Sequence, residues 1–91
     1  MIRLRVLTEA GVALDEDAVS IIAPGELGYL GILRNHAPLV TTLKPGMLSW
    51  RTPEGAQQAR KIGEGFLEII RNRCTILTDT VSPRHRRGHS G

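Results

Sequence analysis

The sequence has few cysteines, few aromatic residues and no long apolar run, and each shortage excludes a class of protein. Its 91 residues include one cysteine, Cys74. One cysteine cannot form an internal disulfide, which excludes a disulfide-stapled secreted scaffold and is typical of a reducing compartment. No stretch approaches the roughly 18 consecutive apolar residues of a membrane-spanning helix, and no secretory signal is visible. Because Tyr29, Trp50 and Phe66 are the only aromatics, we expect an aliphatic core.

Excess charge is missing from most of the chain as well. Residues 1–82 hold nine Lys/Arg against nine Asp/Glu, so the net charge of +3 comes from Arg84, Arg86 and Arg87. Apolar residues make up 41% and charged residues 23%, which is ordinary for a globular domain. The sequence therefore predicts one domain over residues 1–81 and a disordered basic tail over 82–91. Nothing indicates the basic face of a nucleic-acid-binding domain.

Short apolar segments of period two dominate the pattern, and this period is typical of half-buried strands. In the first segment, Ile2, Leu4 and Val6 alternate with Arg3 and Arg5. Strands are predicted over 2–7, 12–14, 18–23, 29–33, 39–43, 47–52, 57–62, 66–70 and 74–78.

Turn signals separate these segments. Residues 15–17 (Asp-Glu-Asp) are predicted to form a polar turn, Pro45-Gly46 the centre of a type II turn, and Pro53-Glu54-Gly55 a hairpin. Turn signals recur every 6–12 residues without a helical period, which is typical of an all-β sandwich or barrel. We predict a small β-sandwich of about 8–10 short, mostly antiparallel strands.

No residue pattern points to catalysis, a metal or a cofactor. The glycines of residues 25–31 precede no helix, so turn geometry is favoured over phosphate binding. His36 lies in no nucleophile motif and is expected to make a structural hydrogen bond or to lie at an interface. Cys74 is expected to be a buried apolar residue, and its spacing from the histidines does not fit a zinc site. The arginines of the tail could meet phosphate or anionic lipid, although a solvated end is commoner.

One segment is more specific than these patterns. Residues 31–46, Gly-Ile-Leu-Arg-Asn-His-Ala-Pro-Leu-Val-Thr-Thr-Leu-Lys-Pro-Gly, closely resemble part of the N-terminal domain of the epsilon subunit of F-type ATP synthases (delta in mitochondria). Gly11, Pro24-Gly25, the Gly-Phe-Leu-Glu of 65–68 and the Thr-Ile-Leu-Thr-Asp-Thr of 75–80 follow in the family's order. The resemblance covers about residues 2–81.

The resemblance implies a β-sandwich that is a non-catalytic rotor subunit of the central stalk. Such a subunit links the gamma subunit to the membrane rotor ring, couples ion translocation to ATP synthesis, and needs no cofactor and no nucleic acid. It implies a peripheral location at the cytoplasmic face of a bacterial inner (plasma) membrane. The implied ring contacts are Glu26, Tyr29, Arg34, Asn35 and His36. The implied gamma contacts are Glu9, Ala10, Gly11, Val12, Leu39, Val40, Thr41, Thr42 and Leu43.

The sequence departs from the family pattern in two places. Most members continue into a C-terminal helical pair, whereas this sequence ends about ten residues after the predicted sandwich, so helical inhibition and ATP binding are expected to be absent. The ring-facing turn contains Arg34 where members often carry Pro-Gly, and this cation could match a carboxylate of the ring or a lipid head group. The alternative hypothesis is a small β-barrel nucleic-acid-binding module that uses the arginine tail, although three scattered aromatics give little support for base stacking.

Overall fold

The chain forms nine β-strands in the computed structural model, which describes residues 1–83. No helix occurs among these residues, and hence none that could cross a membrane. The predicted all-β class is confirmed. The strands are β1 (Ile2–Thr8), β2 (Gly11–Ala18), β3 (Ser20–Gly25), β4 (Gly28–Leu33), β5 (Leu39–Leu43), β6 (Gly46–Arg51), β7 (Gln57–Ile62), β8 (Gly65–Ile70) and β9 (Arg73–Thr78).

The strands form two layers of one continuous sheet. One layer has the order β2-β1-β9-β8-β5, and the other contains β7, β6, β3 and β4. The layers are joined at a corner, where Gly25 of β3 pairs with Leu43 of β5. Every pairing is antiparallel except that of β1 with β9. The first and last strands therefore lie side by side, and their pairing brings distant parts of the chain together on the outer surface.

The core is aliphatic apart from Trp50, as the composition predicts. Alternating side chains of both layers turn inward, and the largest fully buried ones include Leu4, Leu48 and Leu67. Cys74 is also fully buried, and burial raises the pKa of its thiol to about 12. The Trp50 Nε1–H donates a 2.7 Å hydrogen bond to Glu16 Oε2. This bond links β6 in one layer to β2 in the other.

The predicted polar turn at residues 15–17 is wrong, because β2 runs through it without interruption. Asp17 lies opposite Arg3, and Asp15 lies opposite Arg5. Oppositely charged cross-strand pairs stabilise a sheet and offset the low strand propensity of aspartate. Glu16 points the other way, toward Trp50.

The type II turn predicted at Pro45-Gly46 is also wrong, whereas the hairpin at residues 53–55 is confirmed. Gly46 begins β6 and does not have a positive φ. A Cβ on Gly46 would lie 2.8 Å from both the Pro24 Cβ and the Tyr29 hydroxyl, so close approach demands glycine there. Gly55 has a φ of 93° in the β6–β7 hairpin.

The described chain ends beside β7. Val81 pairs with Ile62, and Ser82 exchanges hydrogen bonds with Lys61 through its backbone N–H and its Oγ. The tail predicted to be disordered begins at Ser82. These two hydrogen bonds hold Ser82 against β7. The disorder predicted for the rest of the tail concerns residues 84–91, which lie outside the described residues.

Candidate interaction surface

The outward side of the layer β2-β1-β9-β8-β5 carries exposed apolar side chains, which we call the apolar face. Its members are Leu7 (half-buried), Val40 (71% exposed), Phe66 (57%) and Leu77 (51%). Leu7 lies opposite Leu77, and Leu77 lies opposite Phe66, so these three form a row across β1, β9 and β8. Val40 of β5 lines a shallow pocket together with Phe66 and Leu77.

A second row, made of carboxylates, lies beside this apolar row. Glu9 is two residues beyond Leu7, Asp79 is two residues beyond Leu77, and Glu64 is two residues before Phe66. Glu26 completes the row beside β5, where its Oε1 accepts a 3.0 Å hydrogen bond from Thr42 Oγ1. Glu9, Asp79 and Glu64 each lie one residue beyond an end of β1, β9 or β8, and all four carboxylates line one groove with the apolar row. The carboxylates therefore form an acidic margin parallel to the apolar row.

Both rows line one open groove of about 620 Å³, which we call the acidic groove. All four carboxylates line it together with Leu7, Phe66 and Leu77, and no Lys or Arg among residues 1–83 does. Every ion pair among residues 1–83 involves Arg3 or Arg5, so no described cation neutralises these carboxylates. Like charges at neighbouring strand ends repel one another. A cationic group in the groove would relieve that repulsion.

The groove owes its shape to residues between β7 and β9. The buried Thr78 hydroxyl lies 3.0 Å from the carbonyl oxygens of both Gly63 and Glu64, and so holds this loop against β9. A Cβ on Gly65 would collide with the Leu77 carbonyl oxygen, and one on Gly63 would collide with the Asp79 carboxylate. Glycine at these positions lets the two chain segments approach, which brings Glu64 and Asp79 into the same groove.

The other half of the same outward side is different, and we call it the ion-paired face. Arg3 Nε lies 2.8 Å from Asp15, its NH1 lies 3.1 Å from Asp17, and Arg5 Nε lies 3.5 Å from Asp15. The hydrogen bonds that the Arg3 guanidinium donates to Asp17 and to Asp15 raise the pKa of Arg3. These charges satisfy one another within the chain.

The five residues predicted to contact the rotor ring lie at the two ends of β4, which pairs only with β3 within the described chain. Glu26 and Tyr29 are at its beginning, and Arg34, Asn35 and His36 follow its end. The six residues of β4 separate these two groups by roughly 17 Å at about 3.3 Å per residue. The structure thus brings them to one edge of the sandwich and not to one loop. Tyr29 is 60% exposed, and its hydroxyl accepts a 3.0 Å hydrogen bond from the Met47 backbone N–H.

The end of β4 is fastened to the β8–β9 turn by two asparagines. The Asn35 backbone N–H donates to Asn72 Oδ1 at 2.6 Å, and Asn72 Nδ2 donates to Asn35 Oδ1 at 3.3 Å. Asn35, Arg71 and Asn72 all have positive φ values, between 50° and 66°. The His36 ring Nδ1 lies 2.7 Å from the Ala37 carbonyl oxygen, which is the structural hydrogen bond expected for it. This corner exposes Arg34 and Arg71.

The residues predicted to contact gamma range from exposed positions to the buried Leu43. Glu9, Thr42 and Leu43 line the acidic groove, and Val40 lies on the apolar face. Ala10, Gly11 and Val12 are exposed at the β1–β2 turn, whereas Leu39 and Thr41 are half-buried. One predicted ring residue, Glu26, lines the same groove as these predicted gamma residues.

Sequence reasoning missed part of this surface. Leu7, Phe66 and Leu77 are predicted only as strand residues, Phe66, Leu77 and Asp79 also belong to segments that carry the family resemblance, and none of these or Glu64 is predicted as a contact residue. The alternation of each strand marks Phe66 and Leu77 as outward-facing, so an unusual pair of exposed large apolar residues was detectable. Among residues 1–83 the structure contains no cluster of His, Cys, Asp or Glu suited to a metal ion.

Comparison with known families gives a match over residues 1–84, to the family described as ATP synthase, Delta/Epsilon chain, beta-sandwich domain. A protein of Moorella thermoacetica named ATP synthase epsilon chain is 42% identical over 80 residues, which cover 88% of this chain and 60% of that protein. A protein of Stenotrophomonas maltophilia with the same name is 47% identical over 65 residues, covering 71% of this chain and 46% of that one. The chain thus spans about half to three fifths of the length of these relatives.

Two cryo-EM structures of ATP synthases contain similar chains. A chain of the Euglena gracilis mitochondrial ATP synthase, in a structure of OSCP, F1 and c-ring, matches with a TM-score of 0.84 and 25% identity. That match covers 90% of this chain and 52% of the other. A chain from the central stalk and c-ring of Tetrahymena thermophila mitochondrial ATP synthase shares the fold, with a TM-score of 0.73, 16% identity and coverage of 99% and 77%. The predicted β-sandwich is confirmed by the family description and by these folds.

Proposed function

This chain belongs to the ATP synthase delta/epsilon chain β-sandwich family, and from that premise we propose that it is a non-catalytic central-stalk subunit of an F-type ATP synthase. It would link the gamma subunit to the rotor ring and couple ion translocation to ATP synthesis. Its curated relatives carry the name ATP synthase epsilon chain and include bacterial proteins. We place it peripherally on the F1 side, at the cytoplasmic face of a bacterial membrane.

The apolar face is the single observation that carries this proposal. Four large apolar side chains on one side of a sheet, three of them more than half exposed, indicate a surface that another protein covers. Val40 belongs to the segment 39–43 that the family resemblance assigns to gamma. We therefore assign the apolar face and the acidic groove to gamma, and this moves Glu26, which lines the groove, from the ring contacts that the family resemblance implies to the gamma contacts.

The edge along β4 is assigned to the rotor ring. Its exposed residues include Leu27 (102% exposed) and Tyr29 at one end, and Arg34 at the other. The Asn35–Asn72 contact fixes the Arg34 end against the β8–β9 turn. A ring contact needs residues held in place while load passes through them, and a sandwich with paired strands and fastened turns supplies that stiffness.

Affinity purification of the full chain tests this assignment. The tagged chain, expressed with the gamma and ring subunits of its own organism, should co-purify with gamma and with the ring. Purified alone, it should hydrolyse no ATP. A wild-type chain that does not bind gamma at micromolar concentration would contradict the proposal. Binding to single-stranded nucleic acid in place of gamma would favour the alternative nucleic-acid-binding module.

A further inference from the structure

We propose that the acidic groove and the apolar face together receive one amphipathic α-helix of the partner, laid across the strands, with Lys or Arg along one flank. This inference rests on the proposed function, because the partner would be gamma. It adds the form, the direction and the charge of the segment that docks.

The direction follows from the two rows. Leu7, Leu77 and Phe66 lie opposite one another on three adjacent strands, so their row runs across the strands at the interstrand spacing of about 4.8 Å. A helix presents side chains on one face every three or four residues, a rise of about 4.5–6 Å. An extended segment repeats on one face every two residues, about 6.6 Å. The spacing of the row fits the helix better.

The charge follows from the position of the carboxylates. The row of Glu9, Asp79, Glu64 and Glu26 runs parallel to the apolar row and lines the same groove. A helix seated on the apolar row would place its flanking residues above these carboxylates. Since no described Lys or Arg pairs with them, cationic side chains on that flank would be complementary. Such complementarity speeds association and fixes the orientation of the partner.

The direction and form can be tested by photo-crosslinking of the full chain to gamma. Benzoylphenylalanine would replace Leu7, Leu77 or Phe66, one position at a time, and mass spectrometry would locate each crosslink in gamma. The three positions should reach residues of gamma that are spaced three or four apart, in the order Leu7, Leu77, Phe66. Crosslinks spaced two apart, or crosslinks in separate segments of gamma, would overturn the helix.

The charge can be tested with matched single substitutions. Glu64→Gln neutralises a groove carboxylate, and Glu54→Gln neutralises another exposed glutamate, in the β6–β7 hairpin. Glu64→Gln should slow association with gamma about fivefold at low salt, and the loss should shrink as salt rises. Glu54→Gln should leave the rate unchanged. If wild type binds gamma and the two variants associate equally fast, the charge inference is wrong while the proposed function stands. If wild type does not bind gamma, the proposed function itself fails.

Discussion

The outward side of the layer β2-β1-β9-β8-β5 has two halves. They differ in whether their side chains have partners within the described chain. On the ion-paired face, Arg3 and Arg5 meet Asp15 and Asp17 at 2.8–3.5 Å. On the other half, Phe66 and Leu77 are exposed, and no Lys or Arg of the described part of the chain lines the acidic groove beside its carboxylates. The same strands thus carry one surface that is complete within the chain and one that a partner would complete.

This difference separates stability from recognition. An exposed ion pair gains little free energy, because water already solvates both charges well. An apolar side chain covered by a partner gains the full benefit of leaving water. We therefore expect binding to depend on the apolar half and to be nearly insensitive to the ion-paired half.

The largest expected effect is on binding, through Phe66→Ser. Loss of a central aromatic anchor should weaken the affinity for gamma by about 30-fold or more, which corresponds to about 2 kcal/mol. The measurement is a titration calorimetry comparison with wild type. Ile70→Ser is the matched control, because Ile70 lies on the same side of β8 and is 44% exposed but lies at the other end of the strand. Equal losses for both variants would show that the two halves do not differ.

The next effect concerns the core that both halves share. Burial raises the pKa of the Cys74 thiol from 9.0 to about 12, so the folded chain keeps a proton that the unfolded chain releases above about pH 9. That contribution to stability is complete below pH 9 and is lost as the pH rises toward 12, by at most about 1.4 kcal/mol per pH unit.

Cys74→Ala isolates this contribution. Between pH 9 and about 10.5, wild type should lose about 1.6 kcal/mol more of its unfolding free energy than the variant. Urea unfolding at each pH gives the values, and gamma binding of the two chains at neutral pH serves as the control. If wild type and Cys74→Ala lost the same unfolding free energy as the pH rises, the thiol of the folded chain would ionise as readily as that of the unfolded chain.

The smallest effect is expected from Arg3→Ala on the ion-paired face. It removes exposed contacts to Asp15 and Asp17, so the urea midpoint should shift slightly at low salt and hardly at all near 1 M salt. Gamma binding should be unchanged. If Arg3→Ala weakened binding to gamma as much as Phe66→Ser does, the docking surface would lie on the ion-paired face.

Much of the fold could be predicted from local pattern, and the docking surface only in part. Alternation located β1, an apolar segment located β5, and the hairpin signal at residues 53–55 located β7 as the returning strand. The strand at residues 15–17 was not predicted, because its aspartates pair across strands with Arg3 and Arg5. These partners are too distant in the sequence to appear in a short sequence segment around the aspartates. The family motif around His36 predicted that several residues within 24–46 contact a partner.

The apolar row required knowledge of strand order. Leu7 and Leu77 are 70 positions apart in the sequence, and they meet because β1 and β9 pair in parallel. Each residue alone is an ordinary outward-facing strand residue. Only the tertiary arrangement brings them beside Phe66 and aligns Glu9, Asp79 and Glu64 next to them.

The most direct test of the docking surface is hydroxyl-radical footprinting of the full chain, alone and bound to gamma, with oxidation of each side chain measured by mass spectrometry. Phe66 and Leu77 should be oxidised in the free chain and protected in the complex, while Ile70 and Tyr29 keep their free reactivity. Unchanged oxidation of Phe66 and Leu77 in a complex that protects other side chains would contradict the account.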